Sequence, residues 1–159
     1  MTIAAKRKLV IGDIASSFIL KDQNKTEINL TNFKGKKVLL SFHPLAWTSV
    51  CAKQMQALET NWQRFQDLTV VPLGISVDPL PAKKAWADSL AIEKTSLLSD
   101  FWPHGEIAKL YGLFREGDGF SERAKVIIDE NQNIIFLKVY DISELPSIEE
   151  LFAFLEKNQ

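Results

Sequence analysis

The sequence predicts an α/β protein whose mixed central β-sheet carries helices on both faces. Short apolar runs of strand type alternate along the chain with runs whose apolar residues recur at helical spacing. Strands that are joined through helices pair in parallel. Near the end, strand-like runs at residues 124–128 and 134–140 are separated only by a polar turn, which is typical of an antiparallel hairpin. The sheet is therefore expected to be mixed.

Length and composition predict one domain that covers residues 1–159. The chain has the 46% hydrophobic and 25% charged residues of an ordinary globular protein. Its net charge is −1 and it has no long basic run, so neither a nucleic acid nor a membrane surface is expected as a partner. The basic residues at positions 6–8 are not followed by an apolar segment, which argues against a secretory signal. We expect a soluble cytoplasmic protein.

The same patterns predict the elements in chain order. The first half is predicted to hold a hairpin at residues 18–20 and 26–30, a turn or single helical turn at 30–35, a strand at 38–42, a helix that runs to residue 65, and a strand at 69–77 interrupted by Pro72. The second half is predicted to hold a helix opened by Pro79 and Pro81, a strand at 96–98, a helix at 106–111 stopped by Gly112, a polar loop at 115–119, the late hairpin and a last helix. Ser147 and Glu150 have the spacing of a capping box at the start of that last helix.

The single cysteine, Cys51, follows the point where the strand at 38–42 leads through a loop into the next helix. Pro44 ends the strand, because proline fixes φ and has no N–H to give to a sheet. Thr48 or Ser49 is the expected N-cap, which places Cys51 in the first helical turn. Unpaired N–H groups and the helix dipole favour an anion there. They therefore favour the thiolate, which is the nucleophilic form.

The spacing also allows an inert cysteine. Cys51 lies on the same helical stripe as Met55 and Leu58, and free cysteines are among the most buried residues in proteins. With one cysteine, the sequence has neither an internal disulfide nor a Cys-x-x-Cys motif. A thiol–disulfide oxidoreductase is therefore disfavoured.

The stretch Pro44-Leu45-Ala46-Trp47-Thr48-Ser49-Val50-Cys51 resembles the active-site signature of the peroxiredoxins, the family of alkyl hydroperoxide reductases and thiol-specific antioxidants. Residues 74–78, 98–100, 111–113 and 121–124 resemble later landmarks of that family, and the last of these carries its active-site arginine as Arg123. The resemblance runs almost end to end. It is closest to the one-cysteine group that is similar to alkyl hydroperoxide reductase E.

This resemblance implies a thioredoxin-like fold with an N-terminal β-hairpin extension. It also implies a homodimer whose interface includes the loops around Trp47 and at residues 115–119. Cys51 would be the peroxidatic cysteine, and Pro44 would shield its sulfur from water. Thr48 can accept a hydrogen bond from the peroxide, and the guanidinium of Arg123 can serve both the sulfur and a peroxide oxygen. No cofactor and no metal is implied.

The implied reaction is attack of the Cys51 thiolate on hydrogen peroxide or an organic hydroperoxide, which leaves a sulfenic acid on the sulfur. Recycling then needs an external thiol, which a low-molecular-weight thiol, a glutaredoxin-like protein or thioredoxin could supply. Two alternatives stay open. One is a peroxide sensor that relays its oxidation to a partner, and the other is a non-enzymatic thioredoxin-fold binding module in which Cys51 is buried and inert.

Two residues depart from the family pattern. Gln54 stands where many members carry glutamate, so we expect a changed hydrogen-bond network with activity retained. His43 stands where many members have tyrosine; it could tune the pH dependence, but a packed polar ring is the favoured interpretation. His43, Cys51 and His104 could be imagined as metal ligands, although no pair of them has the usual close spacing.

Overall fold

The computed structural model describes residues 8–159, so the first seven positions of the predicted domain, including two of its three basic residues at positions 6–8, lie outside the described part. The strands are β1 (Ile19–Lys21), β2 (Glu27–Asn29), β3 (Lys37–Phe42), β4 (Val70–Ser76), β5 (Ser96–Ser99), β6 (Phe114–Arg115), β7 (Phe120–Ser121), β8 (Arg123–Ile128) and β9 (Ile134–Tyr140). The helices are α1 (Ser49–Thr60), α2 (Trp62–Asp67), α3 (Leu80–Ser89), α4 (Glu106–Leu110) and α5 (Ile148–Lys157). Within the described part, no helix combines the length and the hydropathy needed to cross a membrane.

The central sheet has five strands in the order β5-β4-β3-β8-β9. β4 pairs in parallel with both β3 and β5, while β8 runs antiparallel to both β3 and β9. The mixed sheet that the sequence predicts is thus confirmed. The N-terminal hairpin is also present, as the antiparallel pair of β1 and β2.

Helices cover both faces of this sheet, as predicted. One buried cluster lies under α4 and the N-terminal hairpin and includes Val38, Leu40 and Phe42 of β3. The other lies under α1, α2, α3 and α5 and includes Leu39 and Cys51. Because successive strand residues point to opposite faces, β3 contributes to both clusters and is buried along its whole length.

The helix predicted to run unbroken to residue 65 is two helices, because Asn61 interrupts it. Nδ2 of Asn61 donates to the carbonyl oxygen of Ala57 at 2.8 Å, a local bond of the kind that competes with helical structure. The chain resumes a helical path at Trp62. Phe65 therefore still reaches the core, where it is fully buried.

Pro72 does not interrupt its strand, contrary to the prediction, and β4 is continuous. β5 pairs with β4 only from Leu73 onward, so at Pro72 the strand has β3 as its one neighbour. Proline is tolerated at such an edge because no second strand needs the missing N–H.

Residues 115–119, predicted as a polar loop, form the tip of the hairpin between β6 and β7. The N–H of Gly119 donates to the carbonyl oxygen of Arg115 at 2.8 Å. Gly119 has a φ of 76°, a left-handed conformation that glycine adopts at little cost. The hairpin leads directly into β8 and so to Arg123.

α1 packs closely on the sheet because β4 has a glycine beneath it. A methyl group at Gly74 would lie 2.5 Å from Sδ of Met55 on α1 and 3.5 Å from Cε1 of His43. The missing side chain leaves room for both groups between the helix and the sheet.

Candidate active site

Cys51 lies in the first turn of α1, as the sequence predicts, because the helix begins at Ser49. Its exposed fraction is 0%. Burial of this kind is equally compatible with a reactive sulfur and with an inert one. The two interpretations are therefore distinguished by the groups that surround the sulfur.

Thr48 occupies the N-cap position, as expected, but its side chain does not cap the helix. Its hydroxyl instead donates to the carbonyl oxygen of Leu45 at 2.7 Å, in a tight turn where Trp47 has a φ of 66°. The Thr48 hydroxyl is exposed and has its hydrogen engaged. Its oxygen can therefore act as a hydrogen-bond acceptor.

Asp78 braces the loop that joins β3 to α1. Pro44 and Ala46 of this loop are buried. The Ala46 N–H donates to Oδ2 of Asp78 at 2.8 Å, and the Ser76 hydroxyl donates to the same oxygen at 2.5 Å. Asp78 was not among the predicted site residues, because a carboxylate before a proline is equally typical of an ordinary turn.

Arg123 reaches Cys51 because β8 lies beside β3, with Ala124 opposite Phe42 at the end of the pair. Nη1 of Arg123 lies 3.3 Å from Sγ of Cys51, and Nε donates to the carbonyl oxygen of Ile142 at 2.9 Å. The side chain is buried, unlike most arginines at strand ends. A permanent positive charge therefore lies next to the sulfur.

Gln54 connects Arg123 to the sheet. Its Oε1 accepts from Nη1 of Arg123 at 2.6 Å, and its Nε2 donates to Oγ of Ser41 at 2.7 Å and to the carbonyl oxygen of Phe42 at 3.2 Å. A guanidinium can only donate, so the amide oxygen of Gln54 must face Arg123. The glutamine thus takes part in a buried hydrogen-bond network.

Sequence reasoning missed Ser41 and Lys125, which extend this network. Nζ of Lys125 donates to Oγ of Ser41 at 2.6 Å, and the two residues are directly opposite each other on β8 and β3. Lys125 is 2% exposed. A signal did exist in the sequence, because residues two apart on a strand share a face and Lys125 must then lie on the same face as Arg123.

His43 contacts a second buried lysine, Lys83 of α3. Nδ1 of His43 lies 3.3 Å from the Ser41 carbonyl oxygen, which can only accept, so Nδ1 carries the proton. Nε2 then accepts from Nζ of Lys83 at 3.0 Å, while the ring packs 5.4 Å from the ring centre of Trp86. His43 is the packed polar ring favoured from the sequence. Lys83 was missed, although its helical spacing places it on the same face as the buried Trp86.

Burial changes the protonation of these groups. Burial lowers the pKa of Lys83 to about 7, although the charges of Asp78 and of a Cys51 thiolate oppose the shift. Burial and the guanidinium of Arg123 lower the pKa of Lys125 to about 7. Burial, and then the charge of Lys83, hold the pKa of His43 well below its usual range, so its ring is neutral at neutral pH. One fixed cation and two titrating amines therefore lie around the sulfur.

The metal alternative finds no support in the part of the chain that the structure describes. No group of three or more His, Cys, Asp or Glu side chains is arranged there to hold a metal ion. Nε2 of His104 lies 2.8 Å from the carbonyl oxygen of Gly119, and its ring meets Phe114 edge-on. His104 thus has hydrogen-bond and aromatic partners other than His43 and Cys51.

Comparison with known proteins points to one family. Residues 11–137 match the model of the AhpC/TSA family. The chain is 36% identical over 138 residues to alkyl hydroperoxide reductase E of Mycobacterium tuberculosis, which covers 86% of this chain and 90% of that relative. It is 29% identical over 174 residues to peroxiredoxin prdx-2 of Caenorhabditis elegans, which covers 99% of this chain and 86% of the relative.

Solved structures agree with this result. The reduced 2-Cys peroxiredoxin of Plasmodium vivax matches with a TM-score of 0.83 and 32% identity, over 92% of this chain and 80% of the other. AhpC of Enterococcus faecalis matches with a TM-score of 0.86 and 25% identity, over 94% of this chain and 92% of the other. The thioredoxin-like fold that the sequence resemblance implies is thereby confirmed.

Proposed function

Because the chain belongs to the AhpC/TSA family and is a thiol-dependent peroxidase of the peroxiredoxin type, we propose that it reduces hydrogen peroxide and organic hydroperoxides through Cys51 as its peroxidatic cysteine. Family membership supplies the class of reaction. The assignment of Cys51, Thr48, Arg123 and Pro44 to the site is our proposal, supported by the geometry of the described residues.

The contact between Arg123 and Cys51 carries the proposal. It joins Nη1 to Sγ at 3.3 Å, at the N-terminus of a helix. The guanidinium and the helix terminus both favour the thiolate over the thiol. An inert buried cysteine needs no charged neighbour, and burying a cation without an anion is costly. The burial of Arg123 therefore supports a reactive sulfur.

Ionisation of the sulfur does not account for peroxidase activity by itself. An ordinary thiol with a pKa of about 8.5 is about 3% ionised at pH 7, so complete ionisation gains only about 30-fold in rate. When the O–O bond breaks, negative charge develops on the leaving oxygen and must be stabilised. The site therefore needs groups that bind the peroxide as well as the sulfur.

Arg123 and Thr48 can bind the peroxide. Nη2 of Arg123 takes part in none of the hydrogen bonds among the described residues, and no fully buried polar side-chain atom there lacks a partner. Nη2 is therefore available to donate to the leaving oxygen. Thr48 can accept from the peroxide O–H, because its own hydrogen is held by Leu45. Pro44, buried in the same loop, excludes water from the sulfur.

In the first step an S–O bond forms and the O–O bond breaks, so Cys51 is oxidised to a sulfenic acid while the peroxide is reduced to water or an alcohol. The proton for the leaving oxygen comes from solvent or a nearby acid. The sequence holds one cysteine, so we assign the second step to an external thiol that reduces the sulfenic acid through a mixed disulfide. A low-molecular-weight thiol, a glutaredoxin-like protein or thioredoxin can supply it.

Intact-mass spectrometry tests this cycle. One equivalent of peroxide should add one oxygen atom to the reduced protein, and a thiol should remove it. Excess peroxide should add a further oxygen that thiols do not remove, and Cys51→Ser should gain none. A Cys51–Cys51 dimer as the main product of stoichiometric oxidation would contradict the one-cysteine cycle. Oxidation without turnover in the presence of these reductants would favour the sensor, and slow thiol labelling at neutral pH would favour the inert module.

The proposed enzyme is a homodimer with the loop around Trp47 and residues 115–119 at its interface. Trp47 is 59% exposed and Leu45 is 36% exposed, on the loop that also carries Thr48. Large apolar side chains exposed next to a site mark a contact surface, and an isologous contact would cover them in both subunits. Sedimentation should detect a dimer at micromolar concentration. A monomer that is fully active at the same concentration would show that activity does not require the dimer.

A further inference from the structure

The face of the sheet beneath α1 changes from apolar to polar as it approaches Cys51. On β3 this face carries Leu39 and then Ser41, and on the neighbouring β8 it carries Ile127 and then Lys125. Ser41 and Lys125 are directly opposite each other and both are buried. A polar layer is therefore enclosed between the sheet and the helix that carries the cysteine.

A continuous chain of hydrogen bonds runs through this layer to the sulfur. Nζ of Lys125 lies 2.6 Å from Oγ of Ser41, and Nε2 of Gln54 lies 2.7 Å from the same oxygen. Oε1 of Gln54 lies 2.6 Å from Nη1 of Arg123, which lies 3.3 Å from Sγ of Cys51. Each link is short, and its members lie on three different elements of the fold.

The directions of these bonds are interdependent. Arg123 can only donate, which turns the Gln54 oxygen toward it and the Gln54 amide group toward Ser41. An ammonium at Lys125 also can only donate, so it holds the Ser41 oxygen as the common acceptor for both. A neutral amine could also accept the Ser41 hydrogen, so it would no longer fix the direction of this bond. The protonation of Lys125 thus bears on how firmly Gln54 holds Arg123 against the sulfur.

Several charged and titratable groups lie near Lys125. Those next to it are Arg123 on β8, His43 on β3, and Lys138 on β9 with its partner Glu150 on α5. Cys51 on α1 contacts Arg123, and Lys83 on α3 contacts His43 and is influenced by the charge of Asp78. Lys138 is balanced by Glu150 at 2.8 Å, and His43 is neutral. A Cys51 thiolate, in contact with Arg123, would add a negative charge at the far end of the chain of hydrogen bonds that begins at Lys125.

From this network, and resting on the proposed role of Cys51, we infer that Lys125 is a positioning residue for the peroxidatic cysteine. Through Ser41 and Gln54 it holds Arg123 against the sulfur, and its positive charge favours the thiolate. Burial and the guanidinium of Arg123 lower the pKa of Lys125 to about 7, so the charge of this amine changes near neutral pH. By linkage, thiolate formation at Cys51 then depends on the charge of Lys125.

The rate of Cys51 alkylation by iodoacetamide, measured against pH, tests this inference without peroxide. Lys125→Met should move the midpoint of the rate profile up by about one pH unit, because the thiolate loses a buried cation and a fixed Arg123. Lys138→Met is the matched control: Lys138 lies directly opposite on β9 but is 46% exposed and paired with Glu150. This control should leave the midpoint in place. An unchanged midpoint in Lys125→Met would overturn the inference.

Ser41→Ala separates the hydrogen-bonded route from charge alone. If Lys125 acts through Ser41, Ser41→Ala should shift the midpoint in the same direction, and the double variant should shift it by less than the sum of the two. Additive shifts would overturn the route through Ser41. Ser41→Ala also carries the test if Lys125→Met does not fold. If the wild-type protein is alkylated rapidly but gains no oxygen from peroxide, the proposed peroxidase function is wrong. The inference about Lys125 is tested separately, by the shift of the alkylation midpoint of Cys51.

Discussion

The guanidinium nitrogen Nη1 of Arg123 lies 3.3 Å from Sγ of Cys51, although 72 positions separate the two residues in the chain. The contact exists because β8 runs beside β3, which leads into the helix of Cys51. The same nitrogen donates to Gln54 at 2.6 Å. The guanidinium of Arg123 is thus held next to the sulfur both by its place on the sheet and by its hydrogen bond to Gln54 of α1.

Arg123→Ala should slow peroxide reduction more than it slows alkylation by iodoacetamide. Both reactions need the thiolate, but only the first needs a stabilised leaving oxygen. We expect a loss of about 100-fold or more in the rate constant for peroxide, measured by stopped-flow tryptophan fluorescence. Arg64→Ala removes a solvent-exposed arginine and serves as the control. Equal losses in the two assays would mean that Arg123 acts only on the ionisation of the sulfur.

Gln54→Glu should preserve peroxidase activity but move the alkylation midpoint of Cys51 to higher pH. The new carboxylate would lie beside Arg123 and reduce the positive charge available to the thiolate, by an amount of about one pH unit. Gln56→Glu places the same charge on the exposed side of α1 and should have little effect. A shift to lower pH in Gln54→Glu would contradict this account of the network.

Thr48→Val should reduce the rate with peroxide by at least about 10-fold, whereas Thr48→Ser should retain most of it, because the hydroxyl oxygen is the proposed acceptor. Alkylation should change little in either variant, since iodoacetamide has no O–H to orient. Ser49→Ala, at the next position, is the matched control. Similar peroxide rates for the serine and valine variants would show that the hydroxyl has no direct role.

The buried lysines predict that folding stability rises with pH above 7. The pKa of Lys83 is about 7 in the folded protein, while an unfolded lysine has a pKa of about 10.4. Between these values the unfolded state binds more protons, so the free energy of unfolding should rise with pH by up to about 1.4 kcal/mol per pH unit for each such lysine. Urea denaturation of the reduced protein between pH 7 and 9 measures this slope.

Lys83→Met should lower that slope, because one of the two titrating amines is gone. Lys84→Met should leave it unchanged, since the neighbouring Lys84 is 52% exposed. His43, whose pKa is lowered, and Asp100, whose pKa burial raises to about 6, affect stability below this window. Parallel stability curves for the wild type and Lys83→Met would show that Lys83 does not change its charge in this range.

Most elements of the fold could be predicted because their signals are local. The spacing of Cys51, Met55 and Leu58 predicts the helix α1, and the capping box at Ser147 predicts the start of α5, where the Ser147 oxygen accepts from the Glu150 N–H at 3.3 Å. The errors have different sources. Asn61 divides the predicted helix through a local hydrogen bond to Ala57, whereas the continuity of the strand at Pro72 depends on tertiary context. The strand continues through Pro72 because its neighbour β5 begins one residue later, which no local pattern records.

Local patterns were enough to place Cys51 in the first turn of a helix that follows a strand and a proline-containing loop, because periodicity, proline and capping act over a few residues. The resemblance of the sequence to a family pointed to Arg123. The burial of Lys83 and Lys125 in the same part of the molecule follows instead from how distant elements pack. Lysine is exposed in most proteins, and whether it is buried depends on what packs over it. Here α1 and α3 close over one face of the sheet and bring these amines, His43 and the sulfur into one shared, water-poor layer.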